Sequence, residues 1–287
     1  MQASLKNYET ILMATRAKDW RFSFIPQIFG NLYLWLLLFN IGFSIQALIL
    51  LLLSLITSFG FAALGYYINE YFDQEDDAKA GKINKLQFIS NSNKIILLTL
   101  ILLSTYIPWI WLPHSIVSVW LIGIQILLFM LYAAPPFRLK KNSYLSGITD
   151  ALYAYIIPLL LSYYTYYLYS NSTSINLPFL VCYGALLFVA GYRNIIIHYI
   201  NDIFKDKKAG LITLPRAIGV KKTNTLIIIL LLVELILIVS KISIAATQIT
   251  ALWLLLIPII FLLHKAIKQV QQLPNNIIVN KPIRHAP

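Results

Sequence analysis

The sequence predicts an all-α fold: a polytopic membrane bundle of about eight transmembrane helices around a central cavity, assembled from two pseudo-symmetric four-helix halves. Three observations predict it. Of 287 residues, 59% are hydrophobic and 12% charged, with a mean hydropathy of +0.73. A soluble domain has no interior large enough for that much apolar surface. Apolar runs of bilayer-spanning length recur at 23–40, 45–68, 94–112, 115–134, 147–168, 177–203, 224–243 and 246–266. With the N-terminus placed inside, 21 of 23 Lys and Arg fall on one face of the membrane. This positive-inside pattern favours an even number of spans with both termini cytoplasmic. The net charge of +12 thus sets topology and attracts anionic lipids or substrates, and it does not describe a nucleic-acid binder.

The elements follow in order. The opening MQASLKNYETILMATRAKDW is amphipathic and lacks the apolar core of a signal peptide, so it is expected to lie on the cytoplasmic surface. Outer connections are short and nearly uncharged: Asn40 to Ser44, the turn at Pro113 and His114, and Ser170 to Asn176. Inner connections are longer and carry the basic residues. Tyr163, Tyr164, Tyr166, Tyr167 and Tyr169 close the fifth span on the outer side and read as an interfacial aromatic belt. Cys182 is the one cysteine, which excludes an internal disulfide. A polar tail begins at Gln269. No stretch leaves room for a separate soluble domain, so 1–287 reads as one unit. Its halves, 22–134 and 147–268, are candidate parallel repeats.

Two acidic stripes carry the chemistry. NEYFDQEDD, residues 69–77, holds five acids in nine positions directly after an apolar span. Asn69, Asp73 and Asp77 are spaced i, i+4, i+8 and share one helical face, with Glu70 and Asp76 beside it. Four spans later, NIIIHYINDIFKD repeats that spacing with Asn194, His198, Asp202 and Asp206. Carboxylates this close cannot all stay ionised without a compensating charge. Facing stripes of hard oxygen donors suit Mg²⁺, which keeps some waters and is usually completed by substrate phosphates. A lone histidine without cysteine is a poor basis for zinc. The plain alternative is solvated helix ends paired with neighbouring lysines.

These stretches resemble the UbiA family of intramembrane prenyltransferases. NEYFDQEDD is similar to that family's N-D-x-x-D-x-x-x-D motif, with Glu70 where Asp is usual, and NDIFKD is similar to its D-x-x-x-D motif. LYAAPPFRLKK (131–141) and KAGLITLPRAIG (208–219) are similar to the segments that follow the fourth span and the second motif. The resemblance implies nine spans where eight are counted here. It also implies a cavity open to the cytoplasm in the cell (inner) membrane, amid membrane lipids. As metal ligands for Mg²⁺ it implies Asn69, Glu70, Asp73, Asp77, Asp202 and Asp206.

The implied reaction ionises a prenyl diphosphate to an allylic cation, which a lipophilic acceptor captures. That acceptor is expected to be aromatic, like a quinone precursor. Asp73, Asp202, His198 and Arg193 are then the catalytic candidates, and Lys85, Arg138, Lys140, Asn194 and Tyr66 the diphosphate contacts. Lys85 stands where the family commonly shows Arg-Pro after the first motif. Tyr66, Tyr67, Tyr71, Tyr153 and Tyr192 are placed to shield the cation with their ring faces. Asp150 either serves the acceptor or is a first-turn helix acid. Glu234 is expected to be protonated or bonded to a neighbouring helix, and Glu75 and Asp76 to be solvated. Two other readings stand beside this one. A terpene cyclase would use the same ionisation without an acceptor, and a transporter or ion-binding protein would use the acids as an ion site. The sequence leaves the oligomeric state open.

Overall fold

The structure, a computed structural model, describes residues 24–81, 83–208 and 210–246. The N-terminal amphipathic stretch, the eighth span at 246–266 and the polar tail lie outside these residues. Every regular element among the described residues is helical. The first span forms α1 (Phe24–Leu38), which is short. The second forms α2 (Ile45–Phe72), continued by a short α3 (Gln74–Ala80). The third and fourth form α4 (Asn91–Tyr106) and α5 (Ile116–Ala133). The fifth is α6 (Leu145–Ala151) and α7 (Ile157–Tyr169), joined through a π-turn at Leu152–Ile156. The sixth is α8 (Leu177–Asn201), continued by α9 (Ile203–Lys208), and a small α10 (Leu214–Ile218) leads into the seventh, α11 (Val220–Ala246). Six of these spans are long and apolar enough to cross a membrane, and α1 is a shorter apolar helix.

Local chemistry sets the ends. Ser44, Ser90 and Ser115 cap α2, α4 and α5 by accepting backbone N–H bonds, and Asn176 does the same for α8. Gly81, at φ 67°, stops α3 in the left-handed region where a Cβ would be strained. At ~1.5 Å per residue, the 28 residues of α2 rise about 42 Å against about 30 Å of hydrocarbon. One end of α2 therefore stands clear of the lipid core, and Asn69 and Glu70 occupy that end.

The bundle packs by close helix contact. A Cβ on Gly60 of α2 would lie 2.7 Å from the Thr105 backbone of α4, so only glycine permits this approach. Thr57 donates to the Thr105 carbonyl at 2.6 Å and accepts from Trp109 Nε1 at 2.9 Å, tying the same two segments. Ile95, Ile96, Leu100 and Leu103 on α4 and Val119, Trp120 and Leu127 on α5 face outward. That much exposed apolar surface is stable against lipid and not against water. The tyrosine belt expected at the outer end is only half a belt. Tyr163 and Tyr166 are buried, with Tyr163 set edge-on to Trp35 at 5.2 Å, because α1 packs over that end of α7.

Candidate active site

Both acidic stripes sit on broken helices. Asp73 interrupts α2 and α3 at φ −92°, ψ −5°, and Asp202 interrupts α8 and α9 at φ −98°, ψ 7°. Asp73 stays at the edge of the right-handed region and Asp202 lies just outside it, and the ladder resumes across each break. Asp77 N donates to the Asp73 carbonyl at 2.8 Å and Asp206 N to the Asp202 carbonyl at 2.9 Å. The stripes are therefore bent at their central acid, and the straight helical face expected from the spacing is corrected on that point. The bends turn α3 and α9 into contact with each other, which joins the two motifs.

They meet at one cavity of about 1270 Å³. Asn69, Glu70, Asp73 and Asp77 line it from the first motif, and Asn194, His198, Asp202 and Asp206 from the second, with Tyr66, Lys85 and Lys140 beside them. Arg138 and Arg193 do not line it.

Around the first motif, the loop after α5 supplies positive charge. Lys140 pairs with Asp73 and donates to Asn69 Oδ1 at 3.2 Å. Burial first, then Lys141, push the Lys140 ammonium down to about 7, while Glu70 acts the other way. Arg138 contacts Asp73 at 3.2 Å and Asp76 at 3.1 Å, and donates at 2.6 Å to the Phe72 carbonyl at the end of α2. It caps the break and reaches the cavity through Asp73, while it is not itself among the lining residues. Asp76 is buried and paired with Arg138 and with Lys141 at 3.2 Å, so its expected solvation is corrected too; Glu75 is exposed.

Sequence reasoning missed Asn84. Its fully buried side chain donates to the Glu70 carbonyl at 2.8 Å and to Asp77 Oδ2 at 3.0 Å, while Oδ1 accepts from Leu86 N at 3.0 Å. One amide thus ties both ends of the motif. Glu70 is buried as well and accepts from Lys85 N at 3.3 Å. No periodicity marks Asn84, because it lies in a turn.

At the second motif, Lys205 lies 3.1 Å and His198 Nε2 3.6 Å from the Asp202 carboxylate. Asn194 donates to Tyr155 Oη at 3.1 Å. Asp206 is buried, and Arg216 holds the carbonyls of Asp206 and Leu211. Arg193, expected to be catalytic, instead makes a two-pronged pair with Glu234 at 2.5 and 3.1 Å, bridging α8 to α11. The physical reason is that a guanidinium and a carboxylate within the spans need each other more than either needs the cavity.

Farther along the cavity, Asp150 accepts from Tyr153 Oη. Tyr153 packs edge-on against Phe129 at 5.1 Å and Tyr132 at 5.2 Å. Of the tyrosines expected to wall the cavity, Tyr66 and Tyr153 line it. Tyr67 is buried with its hydroxyl on the Lys94 carbonyl, Tyr71 is half exposed, and Tyr192 stacks on Phe188. Phe61, Trp109, Phe129, Tyr132, Tyr155 and Tyr199 complete the aromatic lining.

The donor set fits a hard divalent cation. Eight carboxylate or amide side chains from two motifs line one cavity (Asp76 is the eighth), flanked by cations. Among the described residues no three His, Cys, Asp or Glu converge into a ready-made cage. A cation completed partly by substrate oxygens suits that arrangement better than one enclosed by protein.

The sequence matches the UbiA prenyltransferase family over residues 26–276. The chain belongs to that family. No curated protein matches it significantly. Among solved structures, a UbiA homologue from Archaeoglobus fulgidus bound to GPP and Mg²⁺ has a TM-score of 0.60 at 17% identity, over 86% of this chain and 85% of that one. A digeranylgeranylglyceryl phosphate synthase gives 0.58 at 20% identity, over 93% and 95%. An A. fulgidus UbiA homologue bound to DMAPP and Mg²⁺ gives 0.55 at 17% identity, over 85% and 86%. At these identities the likeness carries the fold. As a UbiA-family enzyme the chain is a prenyltransferase, and its two bent acidic motifs are those singled out from the sequence.

Proposed function

We propose that this enzyme transfers an isoprenyl group from a prenyl diphosphate to a lipophilic, aromatic, quinone-precursor-like acceptor within the membrane, with Mg²⁺ as cofactor. The single observation that carries this is the meeting of the two bent motifs at one cavity. That cavity is acidic and cationic at the motifs and aromatic farther along. Mg²⁺ held by Asn69, Glu70, Asp73, Asp77, Asp202 and Asp206 supplies the positive charge that makes diphosphate a good leaving group. Lys85 and Lys140 add charge at the same place, and Tyr66, Asn194 and His198 offer polar contacts to the phosphates. Phe129, Tyr132 and Tyr153 present rings to the allylic cation, and the packed helices keep bulk water from it. The crowding of Lys and Arg at the motif end supports a cavity mouth on the cytoplasmic side of the cell membrane.

The test uses purified protein in detergent with Mg²⁺ and a panel of prenyl diphosphates, with and without aromatic acceptors. Acceptor-dependent diphosphate release that Asp73→Asn and Asp202→Asn abolish supports transfer. Release with hydrocarbon formation in the absence of acceptor makes the protein a cyclase. No release under any condition, with both variants matching wild type, ends the enzyme reading.

A further inference from the structure

We infer that Asp150 is the acceptor's proton-accepting partner, and that the acceptor it selects is neutral and carries a free hydroxyl. The inference rests on the transferase reading and identifies the acceptor's chemistry.

Asp150 is the sixth residue of α6, beyond the first turn where an acid is rewarded by the helix dipole. Its carboxylate lines the cavity and has no salt-bridge partner among the described residues. Tyr153 donates to Oδ1, while Oδ2 has no donor among the described residues. The titratable groups around it are Tyr132, Tyr153, Tyr155 and Tyr199, all neutral phenols. Tyr199 Oη is buried beside Ser146 and Tyr132. Tyr153 is itself fixed: its carbonyl accepts from Gln125 at 2.7 Å and its ring is wedged between Phe129 and Tyr132. The π-turn at Leu152–Ile156, a geometry found often at functional sites, follows directly.

A carboxylate held open toward a cavity and surrounded by phenols asks for a hydrogen-bond donor. An anionic acceptor, such as a benzoate, would set two negative charges together with no cation between them. A neutral phenol or alcohol meets the site's unfilled acceptor and places its oxygen among the aromatic rings.

The step balances. The C1–O bond of the prenyl diphosphate breaks and its electron pair leaves with the diphosphate. The acceptor's electron pair forms the new bond to C1, at the hydroxyl oxygen or at the ring carbon it activates; in the second case the ring regains aromaticity as that carbon's hydrogen moves, as a proton, to the oxygen. The hydroxyl proton passes to Asp150 Oδ2 and then to cavity water.

The test compares wild type, Asp150→Asn and Asp150→Glu with one prenyl diphosphate and three probes: methylhydroquinone, its dimethyl ether and 4-hydroxybenzoate. Binding of the prenyl diphosphate is measured separately by calorimetry. Wild type should prenylate the free hydroquinone, leave the ether unreacted, and disfavour the benzoate by tenfold or more. Asp150→Asn should lower transfer about 100-fold, as loss of a general base does. Its prenyl diphosphate Kd should stay within threefold, and Asp150→Glu should recover part of the rate. Equal transfer by Asp150→Asn, equal use of the ether, or preference for the benzoate overturns the inference alone. A tenfold loss of prenyl diphosphate affinity in Asp150→Asn overturns it as well, because the residue would then be structural. Wild type that releases no diphosphate overturns the transferase reading and this inference together.

Discussion

The two acidic motifs share a backbone device and differ in what holds them. Both bend at their central aspartate, with nearly the same φ and ψ. The first is fastened from outside its own helix. Arg138 and Lys140, more than sixty residues along the chain, reach Asp73, and Asn84 ties Glu70 to Asp77. The second draws Lys205 and His198 from its own stretch and Arg216 from ten residues beyond Asp206, and next to Asn194 its helix is anchored to α11 by the Arg193–Glu234 pair. The first motif is thus braced from a distant loop and the second from within the bundle. A cation completed by substrate oxygens needs both motifs, and His198 and Lys205 of the second are the more exposed of its partners.

The largest expected effect tests what the motifs share. Asp73→Asn and Asp202→Asn should each lower Mg²⁺-dependent diphosphate release about 1000-fold, the upper range for losing one electrostatic contact to a transition state. The double variant should be scarcely worse than either single one, because the two act as a unit. Additive losses would show two independent sites.

The next effect separates the braces. Removing one partner of a buried ion pair costs about 3–5 kcal/mol, so Arg193→Met should lower thermal stability in detergent markedly. Replacing both partners, Arg193→Met with Glu234→Leu, should recover most of it and keep activity. A double variant that is stable yet inactive would return Arg193 to the catalytic group.

Arg138→Gln should lower thermal stability, since it removes charge-assisted bonds worth about 1.5–3 kcal/mol, and should lower kcat about 30-fold by loosening Asp73. Arg138→Lys should rescue poorly, since a point charge cannot reach the Phe72 carbonyl, Asp73 and Asp76 together. Lys205→Ala, the counterpart at the second motif, should change kcat less than threefold. Equal losses at the two positions would erase the contrast between the motifs.

The sequence showed what depends on period and length. Seven described helices fall where lipid-length apolar runs stand, and both acid stripes were visible because polar residues at i, i+4 are rare beside such runs. The bends were hidden, since neither Asp73 nor Asp202 is flanked by Pro or Gly and the spacing looks the same on a straight helix. Partnerships across the chain were hidden too. Arg193 and Glu234 are 41 residues apart on different helices, and nothing in either span names the other. Asp76 looked solvated because the cations that bury it arrive from the loop after α5. Asp150 could be seen, but whether it capped a helix or faced a cavity depended on where α6 begins.

The smallest expected effect sharpens the comparison most, because it removes no charge. Asn84→Ala takes away one buried amide that holds the Glu70 carbonyl and the Asp77 carboxylate. Buried groups left unpaired cost about 1–3 kcal/mol, here shared between stability and the placing of Asp77. Activity at saturating Mg²⁺ should fall less than tenfold, while the Mg²⁺ concentration for half-maximal rate should rise about tenfold. Asn84→Asp should be worse at every Mg²⁺ concentration, since it sets a second carboxylate against Asp77. A titration of rate against Mg²⁺ reads both variants. If Asn84→Ala lowers the maximal rate and leaves the half-saturating Mg²⁺ unchanged, the brace on the first motif is not what shapes its metal affinity.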